Sequence, residues 1–189
     1  METIGTILGV TLVYVLKEFL VWYKAKLAIQ KKPEDFIKAI NVDVEINKTL
    51  EGLRLLVGAN RVHILGYSNS VKTFAGTCYK FVSMMYERVD ENTVPHMNEF
   101  QNAMASQFSE LILKINNERF VYIPENEDSI IGKVHRQFGV VDAYKWRLGS
   151  TIANGSISVL YTRPHELTEG ERGLIEDAIF RIETLLKLK

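Results

Sequence analysis

The chain has 189 residues, 47% hydrophobic and 24% charged, a mix that suits one globular domain with an appendage and excludes a disordered or low-complexity protein. Its 23 basic and 23 acidic side chains balance overall, but residues 1–32 hold five Lys and two Glu, so residues 33–189 are mildly acidic and carry no electrostatic footprint for nucleic acid. A single cysteine, Cys78, excludes an intramolecular disulfide and a CxxC zinc or redox site, and suits a reducing compartment.

Residues 3–16 are uncharged, Lys17 and Glu18 interrupt, and an apolar and aromatic stretch runs on to Tyr23. As a helix the uncharged run spans roughly 21 Å, short of a hydrocarbon core of about 30 Å, whereas extension to Tyr23 gives roughly 31 Å. Off-centre, Lys17 can snorkel to the interface, and Trp22 and Tyr23 fall where an aromatic belt sits. Lys24, Lys26, Lys31 and Lys32 follow the segment and no basic side chain precedes it, which by the positive-inside rule places the rest of the chain in the cytoplasm. Residues 1–32 are therefore expected to be a single-pass membrane anchor with a basic flank, contacting lipid through residues 3–23. A soluble helix with Lys17 and Glu18 on its exposed side is the alternative, and the Gly5–Gly9 spacing could pack two such helices together.

The body is expected over 33–189. Pro33 can open a helix, within which Val42, Ile46, Leu50, Leu53 and Val57 form one face, and Gly58 can close it in the left-handed conformation. Residues 61–67 read as a strand, 68–70 as a turn, and 78–89 as a second strand apolar on both faces and so covered on both. Met97, Phe100, Met104, Phe108, Leu111 and Ile115 recur at helical spacing and predict one helix over 96–115, whose apolar stripe packs as core or lid. A short strand at 120–123, a short helix at 130–138 closed by Gly139, and strands at 140–148 and 156–162 follow. Asn154-Gly155 between the last two predicts a hairpin with a type I′ turn. The closing helix starts at a capping box, Thr168 to Glu171, and carries a stripe of Leu174, Ile175, Ala178, Ile179, Ile182, Leu185 and Leu186. Two amphipathic helices at the ends of the body and an insertion between strands predict an α+β fold, an antiparallel sheet with helices on both faces.

The run NGSISVLYTRPHELTEGERGLIEDAIFRIETLL, residues 154–186, resembles the C-terminal third of a GAF domain. The likeness lies in the turn at Gly155, the strand Ser156 to Tyr161, the Arg163-Pro164 turn, the Leu167-Thr168 step and the acidic helix start Glu169 to Glu171. The resemblance implies a regulatory or sensory binding module of signal transduction, frequently dimeric, with a pocket between the sheet and its helical insertion. The family's ligand signatures do not transfer: Asn47-Lys48 lacks the rest of the cyclic-nucleotide pattern, Cys78 is poorly placed for a bilin, and a methionine-sulfoxide reductase needs several cysteines.

No Walker loop, GxSxG elbow or GxGxxG run occurs, and His63, His96, His135 and His165 show no metal-ligand spacing. No cofactor, metal site or catalysis is expected. The candidate ligand-binding residues are Tyr86, Arg88, His135, Arg136, Tyr144, Trp146 and Arg147, aromatic walls and cations near the edges of the central sheet and its lid, suited to a small anion or nucleotide-like ligand; sheet-face packing with surface salt pairs is the simpler and preferred account of the same residues. Two functions compete: a membrane-anchored binding module for a small ligand or protein partner, and a dimerising or docking protein of a bacterial or phage membrane system with a closed core. The state of the space under residues 90–138, open or filled, discriminates them.

Overall fold

In a computed structural model of the chain, residues 16–20, 33–73, 76–149 and 154–187 are described. Residues 1–41 and 42–189 form two compact units. Residues 16–20 are helical; the rest of the expected anchor lies outside the described residues, and among those described no helix is long and apolar enough to cross a membrane.

Helix α1 spans Pro33–Leu56. It ends where Gly58 takes φ +61°, a conformation that side chains with a Cβ resist, and the Val57 and Ala59 amides bond back to Leu53 and Arg54. Val42, Ile46, Leu50, Leu53 and Val57, the predicted face, are all buried. Strands β1 (Arg61–Thr73) and β2 (Gly76–Val89) then form a long antiparallel hairpin. The turn expected at 68–70 is instead strand, with Ser68 opposite Phe81 and Ser70 opposite Tyr79. Asn69 in this polar stretch has a positive φ, the pairing runs on to Thr73 opposite Gly76, and residues 74–75 lie outside the described residues.

The single helix expected at 96–115 is corrected. Residues 96–102 are irregular, β3 (Ala103–Met104) pairs with the edge of β2, a 3₁₀ turn covers Ala105–Phe108, and helix α2 begins only at Ser109 and runs to Glu118. The helical spacing arose because Met97, Phe100 and Phe108 all pack onto the same sheet face, along an irregular path that brings Asn102 to φ +56°. Strand β4 (Phe120–Pro124), helix α3 (Ile130–Gln137, its N-terminus capped by the Ser129 hydroxyl) and strands β5 (Asp142–Leu148) and β6 (Gly155–Tyr161) follow. Helix α4 (Glu169–Lys187) closes the chain from the predicted capping box: the Glu171 amide donates to Thr168 Oγ1 at 3.2 Å and the Thr168 amide to Glu171 Oε2 at 2.8 Å.

The β5–β6 hairpin forms as expected, but Asn154-Gly155 is not its turn. Gly155 is the first residue of β6, opposite Leu148, so the connection is longer than two residues. Its glycine has another cause: a Cβ there would lie 2.2 Å from the carbonyl oxygen of Leu65 on β1.

The six strands make one antiparallel sheet in the order β3-β2-β1-β6-β5-β4. One face is covered by α1 and α4, whose Ile46, Leu50, Ile175 and Ile182 share the largest cluster with Val62, Ile64, Trp146, Ile157 and Val159. The other face lies beneath the segment between β2 and β5, a lid held by two smaller clusters, around Ile115, Ile131 and Leu160, and around Leu65, Met84 and Ala105. The architecture is the predicted one, α+β with helices on both faces of an antiparallel sheet.

Candidate functional site

Strand alternation sends Val62, Ile64, Tyr144, Trp146, Ile157 and Val159 to the helix face, so Arg61, His63, Lys145 and Ser158 must point to the lid. The register then sets three of these polar side chains and Glu87 of β2 in one row across the sheet: Glu87 stands opposite His63, His63 opposite Ser158, and Ser158 opposite Lys145. The lid adds His96 and His135, both buried. Five of these residues, Arg61, His63, His96, His135 and Lys145, line a cavity of about 20 Å³ whose remaining wall is apolar, from Leu65, Met84, Phe100, Ile131 and Phe138 among others.

Glu87 is fully engaged. Its carboxylate accepts from the His96 and Met97 amides at 2.9 Å and lies 3.1 Å from Arg61 Nε, while Arg61 Nη2 donates to the Val94 carbonyl. This knot ties the start of the lid to β1 and β2. Lys145, with none of its surface exposed, donates to Ser158 Oγ at 2.9 Å and has no carboxylate partner among the described residues. Both ring nitrogens of His63 and Nδ1 of His135 are buried without a hydrogen-bond partner among the described residues. The His96 ring lies against Phe138, centroids 3.6 Å apart.

Burial, with the Arg61 charge adding to it, pushes the Lys145 ammonium down to about 7. Burial first, then the charges of Lys145 and Arg61, hold His63 and His135 well below the usual imidazole range, and His96 is lowered by burial and Arg61. The site thus contains neutral imidazoles and a lysine poised between charged and neutral near pH 7. Among the described residues no group of three or more His, Cys, Asp or Glu is placed to hold a metal ion.

The seven residues singled out from the sequence are divided by the sheet. Tyr86, Tyr144 and Trp146 belong to the helix-face core: the Tyr86 hydroxyl bonds to Asp43, the Tyr144 hydroxyl donates to the His165 carbonyl at 2.6 Å, and Trp146 packs 4.9 Å from Phe120. Arg88 lines a shallow groove on α1 with Asn47 and Glu51. Arg136 is exposed and donates to the Glu125 and Glu127 carbonyls, and Arg147 donates to the Asn116 carbonyl at 2.8 Å. Of the seven, His135 alone lines the lid cavity. The residues missed are Arg61, His63, Glu87, His96, Lys145 and Ser158. The signal for Lys145 was present: a lysine between Tyr144 and Trp146 in a strand covered on both sides has nowhere to go but a buried face.

No protein-family model matches the sequence, and comparison with curated proteins finds no match. Solved structures do match. A GAF domain/HD domain protein from Geobacter sulfurreducens superposes at TM-score 0.59 with 12% identity, covering 77% of this chain and 92% of that one. A far-red cyanobacteriochrome photoreceptor gives TM-score 0.61 at 12% identity over 89% of this chain and 98% of that one. The PixJ GAF domain from Thermosynechococcus elongatus, in its blue-light absorbing form, gives 0.60 at 13% identity over 80% and 90%. The fold of this chain is therefore that of a GAF domain. Its cysteine, Cys78, is exposed and does not line the lid cavity.

Proposed function

We propose that this chain is a GAF-like sensory module without catalysis of its own, which binds a small ligand between its sheet and lid and is tethered to the cytoplasmic face of a membrane by residues 3–23. The observation that carries the binding is the row beneath the lid. His63, His135 and Lys145 are buried polar groups whose hydrogen-bonding capacity the protein leaves largely unused, and such groups cost stability unless something else satisfies them. Their position, under the insertion of a GAF fold, is where the resemblance puts a ligand. The tether rests on the uncharged segment and its lysine flank, and on the exposure of Leu16, Phe19 and Leu20 in the described part of that segment.

A thermal-shift screen of the full-length chain against metabolites, nucleotides and simple salts tests the binding; no stabilisation by any of them, far above plausible affinities, overturns it. Ultracentrifugation after detergent-free lysis tests the tether, which fails if the chain stays in the aqueous fraction.

One observation favours a second reading, the dimerising or docking protein. At about 20 Å³ the lid cavity is nearly filled, and Val44, Leu55, Leu56 and Phe180 present apolar surface on α1 and α4 where a second copy could pack. A stable dimer in sedimentation, joined to a flat ligand screen, would select it.

A further inference from the structure

Resting on that reading of the lid site, we infer that its ligand is a small monovalent anion, for which Lys145 is the counter-ion and His63 and His135 supply hydrogen bonds. Three observations converge on this class.

The first is a count of donors against acceptors. Five polar side chains line the cavity, and none is a carboxylate. Glu87, the acid of the polar row, accepts from two amides and lies against Arg61, so it is spent. Lys145 carries three N–H donors and uses one, on Ser158; a neutral His63 brings one N–H and one acceptor nitrogen, which balance, so the spare donors are those of Lys145. The surplus is in donors and in positive charge, which a ligand presenting acceptors and one negative charge would satisfy.

The second is size. A cavity of about 20 Å³ admits about one water-sized group, since a water needs roughly 10–15 Å³ on this measure. With modest give in the lid it takes a halide or a planar oxyanion of three or four heavy atoms, such as formate or nitrate. A purine or a tetrapyrrole does not fit beneath this lid as it stands.

The third is charge matching. Arg61 is already paired with Glu87, so among the described residues Lys145 is left as the cation of this cavity without a carboxylate partner, and one negative charge completes the site. The titratable groups that line the cavity with Lys145 are Arg61, His63, His96 and His135, and Glu87 lies at the far end of the row, beyond His63 and Ser158; Arg147, two residues along the same strand as Lys145, is turned to the Asn116 carbonyl. A bound anion favours the ammonium form, so binding draws a proton onto Lys145 and weakens as that proton becomes harder to hold.

The test is thermal unfolding of the full-length chain in mild detergent, with ionic strength held by sodium gluconate. Formate and nitrate are the probes; formamide, isosteric with formate but neutral, controls for charge, and gluconate, a carboxylate too large for the cavity, controls for size. At about 100 times the dissociation constant, formate or nitrate is expected to raise Tm by roughly 5–10 °C. Formamide should do nothing, and the dissociation constant should rise about tenfold per pH unit above pH 7. Lys145→Met, which keeps the cavity filled with an apolar chain and so is expected to fold, should abolish the response. Equal stabilisation by formamide, or a response that survives in Lys145→Met, overturns the anion assignment. If a larger molecule from the screen stabilises the wild type while formate and nitrate do not, the anion inference falls and the binding module stands. If nothing stabilises it, both fall.

Discussion

Replacing Lys145 by Met removes a wholly buried ammonium and leaves a flexible apolar chain of similar length in its place. The effect on stability follows from proton linkage. Burial and Arg61 bring the folded-state lysine from its ordinary 10.5 to about 7, so between these values the unfolded chain binds a proton that the folded chain has released. Stability therefore climbs with pH across that window, and the penalty for burying the group is fully present below pH 7. At about 1.4 kcal/mol per pH unit, the penalty amounts to about 4 kcal/mol at pH 7 and about 2 kcal/mol at pH 9. Met removes it but leaves the Ser158 hydroxyl without its donor, a loss of about 1 kcal/mol. The variant should thus be more stable than wild type by about 3 kcal/mol at pH 7, narrowing to about 1 kcal/mol at pH 9. Urea unfolding of both proteins at pH 7, 8 and 9, followed by the fluorescence of buried Trp146 and by circular dichroism in buffer free of small anions, reads the difference directly. A variant less stable than wild type at pH 7, or a gap that does not narrow with pH, refutes the reasoning.

Stability should also fall on acidification. His63 and His135 are held neutral in the folded chain by burial, so the unfolded chain gains protons first as pH drops through the ordinary imidazole value and stability is lost in that window; a urea midpoint unchanged between pH 7 and pH 5 would contradict it. Thr168→Ala, which removes half of the capping box of α4, should cost about 1 kcal/mol with no change in the slope of urea unfolding. Gly155→Ala should cost about 1–3 kcal/mol or more, because its Cβ would press on the Leu65 carbonyl at the centre of the sheet; a neutral result would mean that β1 and β6 can part there at no expense.

What the sequence made legible is what periodicity and local chemistry govern. The face of α1, the capping box of α4 and the existence of the β5–β6 hairpin each follow from side chains within one element and its ends. The lid was misread where its residues obey a different constraint. Met97, Phe100, Phe108 and Ile115 are spaced as in a helix, yet the chain that carries them turns through irregular backbone, a two-residue strand and a 3₁₀ turn before α2 begins. Asn154-Gly155 looked like a turn because its residues tolerate positive φ. The decisive pressure on Gly155 is the approach of the neighbouring strand, which no local pattern reveals.

The site was misread for a related reason. Tyr86, Tyr144 and Trp146 read as aromatic walls, yet they stand opposite Ile64, Val159 and Ile157 on the neighbouring strands, which assigns them to the helix-side core. The informative residues were those between them. Lys145 lies between Tyr144 and Trp146, and His63 between Val62 and Ile64, so each is forced to the opposite face by the same alternation. Only the strand order, which brings β1 beside both β2 and β6, places Glu87, His63, Ser158 and Lys145 side by side.

The two faces of the sheet differ in a way that bears on ligand entry. On the helix face a continuous apolar cluster joins α1, α4 and five strands, from Val62 on β1 to Phe120 on β4. On the lid face the apolar contacts are split into two smaller clusters, and the polar row runs between them. Lifting the lid therefore breaks less apolar burial than parting the helices, and it exposes charged and imidazole groups that gain from water. The Glu87 knot to the His96 and Met97 amides fixes one end of the lid while Ile115 and Ile131 hold the other. A ligand that satisfies the Lys145 charge, as proposed above, would reduce what that group gains from water.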